Sequence, residues 1–192
     1  MRRDVMMSRV AGTVHLLLLA TRGAAGFIGI EFASKSLVVH RASPVRCGPR
    51  VRIMSVGSKR RDEKWIQQGI ELYTTRLRPV LDVECTFVKD DAALVLAVQK
   101  CDDVAIILDE RGPTCNSVQF SERLFTALEE GGSRMSFFIG GAEGLPPELK
   151  ADRKRLLSLG SLTLTHQMAR LILVEQVYRA TEIRRGSGYH KD

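Results

Sequence analysis

From Val51 onward the apolar and polar positions fall into a repeating rhythm. Val51-Arg52-Ile53-Met54-Ser55-Val56-Gly57 alternates and then runs apolar into a glycine, the pattern of a buried strand entering a loop. A helix is predicted next, with Asp62 as its N-cap and Trp65, Ile66, Gly69, Ile70, Tyr73 and Leu77 recurring at three- and four-residue spacing until Pro79 stops it. The cycle then repeats. Residues 81–88 read as a second strand, 91–101 as a second helix carrying Leu94, Val95 and Val98, and 104–109 as a third strand that is apolar until its last residue, Asp109. Residues 117–131 predict a third helix, and Ser136-Phe137-Phe138-Ile139 a fourth strand ending in Gly140-Gly141. Strands apolar throughout are expected where both faces are covered, so the alternation predicts an α/β fold with a parallel sheet flanked by helices. Ligands in such sheets bind outside the carboxyl ends of the strands.

The C-terminal region has a different texture. Residues 156–165 predict a strand followed by a small-residue loop. Residues 166–185 predict an amphipathic helix with Ala169, Ile172, Leu173, Val177 and Ala180 as its apolar stripe and Arg170, Glu175, Arg179, Arg184 and Arg185 on the opposite face. A tail of Gly186-Ser187-Gly188-Tyr189-His190-Lys191-Asp192 closes the chain.

Charge changes the picture once it is placed along the chain. Of the net +7, residues 1–50 carry +6, from eight Lys or Arg against Asp4 and Glu31. Residues 51–149 hold 12 basic and 16 acidic side chains, and residues 150–192 hold nine basic and four acidic. A positive last quarter suits phosphate neutralisation, although a solvated basic helix face has the same composition. The first 50 residues, Arg-rich and poor in acids, are composed like an organellar transit peptide, and a secretory signal with residues 16–20 as its apolar core is the competing reading. The boundary falls between Pro49 and Val51, giving a leader over 1–50 and one domain over 51–192. No apolar run approaches the roughly 20 residues of a spanning helix, so no membrane partner is expected. Cys47, Cys85, Cys101 and Cys115 match no zinc or C-x-x-C spacing; they read as reduced thiols, and no metal is expected.

Three stretches carry candidate chemistry. Gly140-Gly141-Ala142-Glu143-Gly144, after a strand, lets backbone approach a ligand closely, but it matches neither G-x-x-x-x-G-K-[ST] nor G-x-G-x-x-G, and a tight structural turn explains it equally well. Gly160, Ser161 and Thr163 offer backbone and hydroxyl groups without bulk, in a loop that also suits an ordinary connector. His166, at a helix start, serves as cap or packing residue as readily as in catalysis. A tail with an aromatic, an imidazole and an amine has the equipment to contact RNA by stacking and charge.

Ile107-Leu108-Asp109-Glu110-Arg111-Gly112, then Phe138-Ile139-Gly140-Gly141-Ala142-Glu143-Gly144, then THQMARLILVEQVYRATEIRRGSGYHK together resemble the RlmH-type pseudouridine N3-methyltransferases of large-subunit ribosomal RNA, within the SPOUT class. The resemblance covers residues 51–192. It implies a C-terminal deep trefoil knot, S-adenosylmethionine (SAM) as methyl donor, and a homodimer in which the partner completes each active site. By position it implies a SAM pocket lined by Leu108, Gly140, Gly141, Gly160, Ser161, Leu162, Thr163, Leu164 and Thr165, with His166, Arg170, Arg179, Tyr189 and His190 positioning RNA or handling a proton. The substrate implied is ribosomal RNA in the assembled ribosome or large subunit. With the leader, it implies an organellar enzyme, chloroplast before mitochondrion. Two other readings stay open: a tRNA methyltransferase of the same fold, and a non-catalytic rRNA-binding assembly protein.

Overall fold

The computed structural model describes residues 48–191, so all but the last three residues of the expected leader, and Cys47, lie outside the described residues. Five strands, β1 (Arg50–Val56), β2 (Asp82–Val88), β3 (Val104–Leu108), β4 (Arg134–Ile139) and β5 (Leu156–Leu157), form one sheet in the order β2-β1-β4-β3-β5, all neighbours parallel. The connections are α1 (Lys64–Leu77), α2 (Asp91–Gln99), α3 (Ser117–Glu130) and the single turn α4 (Pro147–Lys150), and α5 (His166–Arg184) ends the fold. The predicted α/β architecture with a parallel sheet is the one observed.

The helices cover both faces. On one face α1, α3 and α5 pack against Val51, Ile53, Ile106, Met135, Phe137 and Leu157; on the other, α2 and α4 cover Ile107, Phe138 and Leu156. Alternate residues of β3 and β4 therefore enter different cores, which is why β3 is apolar throughout and β4, from Met135 on, is apolar on both faces except at Ser136, which is buried and donates from Oγ to Asp103 Oδ2 at 2.9 Å. Phe137 is 0% exposed, and burying a side chain of that size stabilises by about 1.5–3 kcal/mol. α3 begins with a reciprocal cap: Asn116 Oδ1 accepts from Gln119 N at 2.8 Å while Gln119 Oε1 accepts from Asn116 N at 3.0 Å.

Several boundaries differ from the expected ones. β1 starts at Arg50, whose N–H donates to Ser133 O at 2.8 Å, and β4 starts at Arg134, before its apolar run. The strand expected from residue 156 has only two residues before the loop begins. Asp62 is not the N-cap of α1. Glu63 holds that place without a side-chain bond, because the Asp62 carboxylate is taken by Arg170.

Candidate active site

A cleft of about 680 Å³ opens beyond the carboxyl ends of β3, β4 and β5. Its wall is built from the residues that end or follow those strands, Leu108 to Arg111 at the end of β3, Ile139 to Leu145 at the end of β4 and Leu157 to Gly160 at the end of β5, and from the first turn of α5.

The cleft's form follows from local constraints in the wall. Gly140 is forced by contact: a Cβ there would lie 2.4 Å from Gly144 O, since the 140–144 turn folds back on itself with Gly144 N–H donating to Gly141 O at 3.1 Å. The β3 and β5 exits are sewn together by Asp109 N–H to Leu157 O (3.0 Å) and Ser158 N–H to Pro113 O (3.0 Å). Ser158 Oγ then donates to Gly160 O at 2.8 Å, and Gly160 turns the loop with φ +152°, a value that L side chains rarely adopt. Thr163 Oγ1 donates to Glu110 Oε2 at 3.1 Å, tying the loop across to the β3 exit. Residues 161–164 take part in no backbone–backbone hydrogen bond within the described chain, which leaves N–H and C=O groups of this loop available to a ligand. Thr165 ends the loop by capping α5, its Oγ1 accepting from Met168 N at 3.3 Å.

Of the residues assigned to a cofactor wall, Leu108, Gly140, Gly141, Gly160, Leu162, Thr163, Leu164 and Thr165 all line this cleft. Ser161 is exposed on the same loop and is not part of the lining. His166 lines the cleft as well, and a Cβ on Gly57, at the end of β1, would lie 4.0 Å from its Nε2.

Arg170 requires a correction. The helix reading put it on the polar face, available to RNA, but it is 0% exposed. It pairs with Asp62, donates from NH1 to Ser55 Oγ at 3.1 Å and stacks 4.7 Å from the Phe87 ring centroid. Arg170 thus fastens the β1–α1 connection to α5, and offers RNA no surface.

Arg179, Tyr189 and His190 gather elsewhere. Thirteen residues separate His166 from Arg179 along α5, about 20 Å at 1.5 Å per residue, and none of the three lines the cleft. The tail folds back on its own helix instead. Tyr189 Oη donates to Glu175 Oε1 at 3.1 Å, its ring meets Tyr178 edge-on at 4.9 Å, and Arg179 lies over that ring at 4.8 Å while pairing with Glu175 at 2.8 Å. Burial, then the neighbouring Tyr73 phenol and Glu175 carboxylate, push the Tyr189 phenol well above its ordinary range. His190 faces Arg179 at 3.5 Å and borders a second cleft of about 500 Å³, which shares Leu157, Ser158 and Leu159 with the first.

Several lining residues escaped the sequence reading, two of them at the start of α1. Trp65 and Glu63 border the cleft, and Trp65 is 54% exposed. Its helical spacing with Ile66 and Ile70 reads as core; that it is the one tryptophan in the chain was the only available signal. The lining carries Glu63, Asp109, Glu110 and Glu143 against Arg111 and Lys150, a surplus of carboxylates that favours a ligand with positive charge. Among the described residues no group of acids, histidines and cysteines has the arrangement to hold a metal, and no helix is long and apolar enough to cross a membrane.

A parallel sheet with a glycine turn and an open-backbone loop at its carboxyl edge defines an α/β protein with a cleft of small-ligand size. The family model described as "Predicted SPOUT methyltransferase" matches residues 50–190, and the chain belongs to the SPOUT methyltransferase family. It is 46% identical over 142 residues to a "Ribosomal RNA large subunit methyltransferase H" of Protochlamydia amoebophila (strain UWE25), covering 74% of this chain and 99% of that one. A protein of the same name from Synechococcus sp. (strain CC9605) is 43% identical over 151 residues, 78% of this chain and 99% of its own. Among solved structures, a probable methyltransferase from Bordetella pertussis Tohama I aligns with 69% of this chain and 96% of its own at 11% identity and a TM-score of 0.44, too distant to carry an argument.

Proposed function

We propose that this chain transfers a methyl group from SAM to large-subunit ribosomal RNA, at N3 of a pseudouridine. The observation that carries the reading is the cleft, where Leu108, Gly140, Gly141 and the loop over 160–165 surround one space beside the first turn of α5. Its volume lies within the range of small-ligand sites, about 300–1,000 Å³. The donor set fits an adenosyl group with a cationic centre: unengaged loop backbone, the apolar sides of Leu108, Ile139 and Leu157, and the surplus of carboxylates at the rim. SAM bound there would supply a methyl group on an electrophilic sulfonium. The curated relatives named for large-subunit ribosomal RNA supply the substrate class.

The remaining tasks fall to the protein's own side chains. N3 of pseudouridine is an imide nitrogen that keeps its proton at neutral pH, so methylation requires that proton to be taken or its loss stabilised. His166 is the imidazole in the lining, and to it this reading gives the role of base. Holding the nitrogen in line with the methyl group supplies a further large share of the acceleration. Arg179 lies about 20 Å along α5 from His166, and neither it nor Tyr189 and His190 in the tail lines the cleft of its own chain. In a homodimer the tail of a partner subunit brings them to it, where an arginine and aromatic rings hold RNA by charge and stacking. The passage from β5 through the loop into α5 is read as tied in a trefoil knot. Residues 1–50 are read as the address that carries the enzyme to an organelle with bacterial-type ribosomes, the chloroplast before the mitochondrion.

The test is incubation of the full chain with labelled SAM and bacterial-type ribosomes, free ribosomal RNA and tRNA, followed by mass-spectrometric mapping of the product. Label at one large-subunit pseudouridine is the expected outcome. Label confined to tRNA, or none with any substrate, would overturn the reading.

A further inference from the structure

The cleft lining is acidic in balance, and a polyanionic substrate entering it needs cations elsewhere on the rim. The connection from β1 to α1 and the first residues of α1, which border the cleft at Glu63 and Trp65, carry three. Lys59, Arg60 and Lys64 are exposed, and none of them belongs to an ion pair among the described residues. Trp65 follows at once, half exposed and bordering the cleft. The loop's own acid is withdrawn from this surface: Asp62 is 5% exposed and pairs with the buried Arg170. Glu63 is the one carboxylate left outside, and its N–H is held by Gln167 Oε1 at 3.3 Å. The loop is also fixed in place. Gln67 Nε2 donates to Lys59 O at 2.8 Å and to Asp62 O at 3.2 Å, so the cations stand on an ordered support.

We infer that the β1–α1 connection is an RNA-docking surface, in which Lys59, Arg60 and Lys64 hold backbone phosphates and Trp65 stacks on an unpaired base at the mouth of the cleft. A solvated basic loop alone has no need of an exposed indole beside a cleft, or of a buried ion pair that removes its acid. Stacking on an aromatic ring tolerates any base, so Trp65 contributes hold and orientation while the cleft supplies specificity. This reading rests on the proposed RNA substrate, but it is tested separately from catalysis.

Trp65 is the only tryptophan of the chain, so intrinsic emission of the full-length protein reports this position alone. Oligouridylate should quench it saturably. The combined substitution Lys59→Ala, Arg60→Ala and Lys64→Ala should reduce the slope of log affinity against log salt by about two, since each phosphate contact on single strands contributes about 0.7. With ribosomes as substrate the same variant should raise KM on the order of tenfold and leave calorimetric SAM affinity unchanged; Trp65→Ala should weaken oligouridylate binding about fivefold or more. Emission insensitive to oligouridylate, a salt slope unchanged in the triple variant, or emission that shifts only with protein concentration, as when a second copy covers the indole, would each overturn the inference. A chain that binds oligouridylate through this loop yet methylates no ribosomal RNA would instead remove the proposed function and leave the docking surface standing.

Discussion

Arg170 lies wholly inside the protein, and its guanidinium meets the carboxylate of Asp62, 108 residues away and itself 5% exposed. Two charges withdrawn from water depend on one another, and removing one partner from such a pair costs about 3–5 kcal/mol because the other is left unpaired. Asp62→Ala should therefore lower the unfolding free energy, read from denaturant titration, by an amount in that range. The double variant Asp62→Ala with Arg170→Met should lose less than the sum of the two single losses, because neither charge remains to be stranded. Additive losses would show that the pair is not coupled.

Gly140 stands where a side chain has no room, with Gly144 O 2.4 Å from the position of a Cβ. Gly140→Ala has to open the turn that forms one wall of the cleft. Its effect should fall on SAM binding, weakened tenfold or more by calorimetry, with far-ultraviolet dichroism unchanged. An alanine variant with the parent's SAM affinity would show that this turn does not contact the donor.

The Cys85 thiol is pushed up to about 11 by burial, an effect that the nearby Arg170 charge only partly offsets. At pH 8 its thiolate fraction is about one in a thousand, against roughly a quarter for an ordinary thiol near 8.5. Alkylation of the native chain followed by peptide mapping should find Cys85 reacting on the order of a hundredfold more slowly than a thiol with ordinary acidity. Because the folded value is raised, the contribution of the neutral thiol to stability is complete below about 8.5 and is lost as pH climbs toward 11. Labelling of Cys85 as fast as a model thiol would contradict its burial.

Tyr189 is governed by the same sign. Its phenol is raised by burial and by Tyr73 and Glu175, so the stability that the Tyr189–Glu175 hydrogen bond gives the docked tail is complete below the ordinary phenol range, near 10, and is lost as the pH climbs from there through the raised folded value. In absorbance titration one of the three tyrosines should ionise later than a free phenol, and Glu175→Gln should bring that transition down. Three superimposed ordinary transitions in the parent chain would show that the tail is undocked.

Much of this architecture was legible because the sheet is covered on both faces. The unbroken apolar run of β3 and the Phe137-Phe138-Ile139 run of β4 announce such strands, and glycines after a strand mark the turn that borders the cleft. The residues that the resemblance assigns to a cofactor wall come together in one cleft, except for Ser161. Arg170 was misread because helical periodicity reports only a residue's own element. Arg170, Val174, Val177 and Thr181 share one buried face of α5, but the partner that makes a charge tolerable there comes from the β1–α1 connection, and nothing local in sequence announces it. The same blindness hid Trp65, whose spacing fits α1's apolar positions while tertiary placement turns it to the cleft. The strand order β2-β1-β4-β3-β5 is likewise set by long-range pairing. The tail's dependence on Glu175 and Tyr178 needed the helix and the terminus in one frame.

The proposed methyl transfer requires that the cleft at the ends of β3, β4 and β5 hold the methyl donor. Calorimetric titration of SAM into the full-length chain tests that most directly, with Gly140→Ala and Thr163→Val alongside. The account predicts saturable binding at one site per chain, weakened tenfold or more by the first substitution and a few-fold by the second, which breaks the Thr163 to Glu110 bond. No saturable binding, or binding untouched by both substitutions, would contradict it.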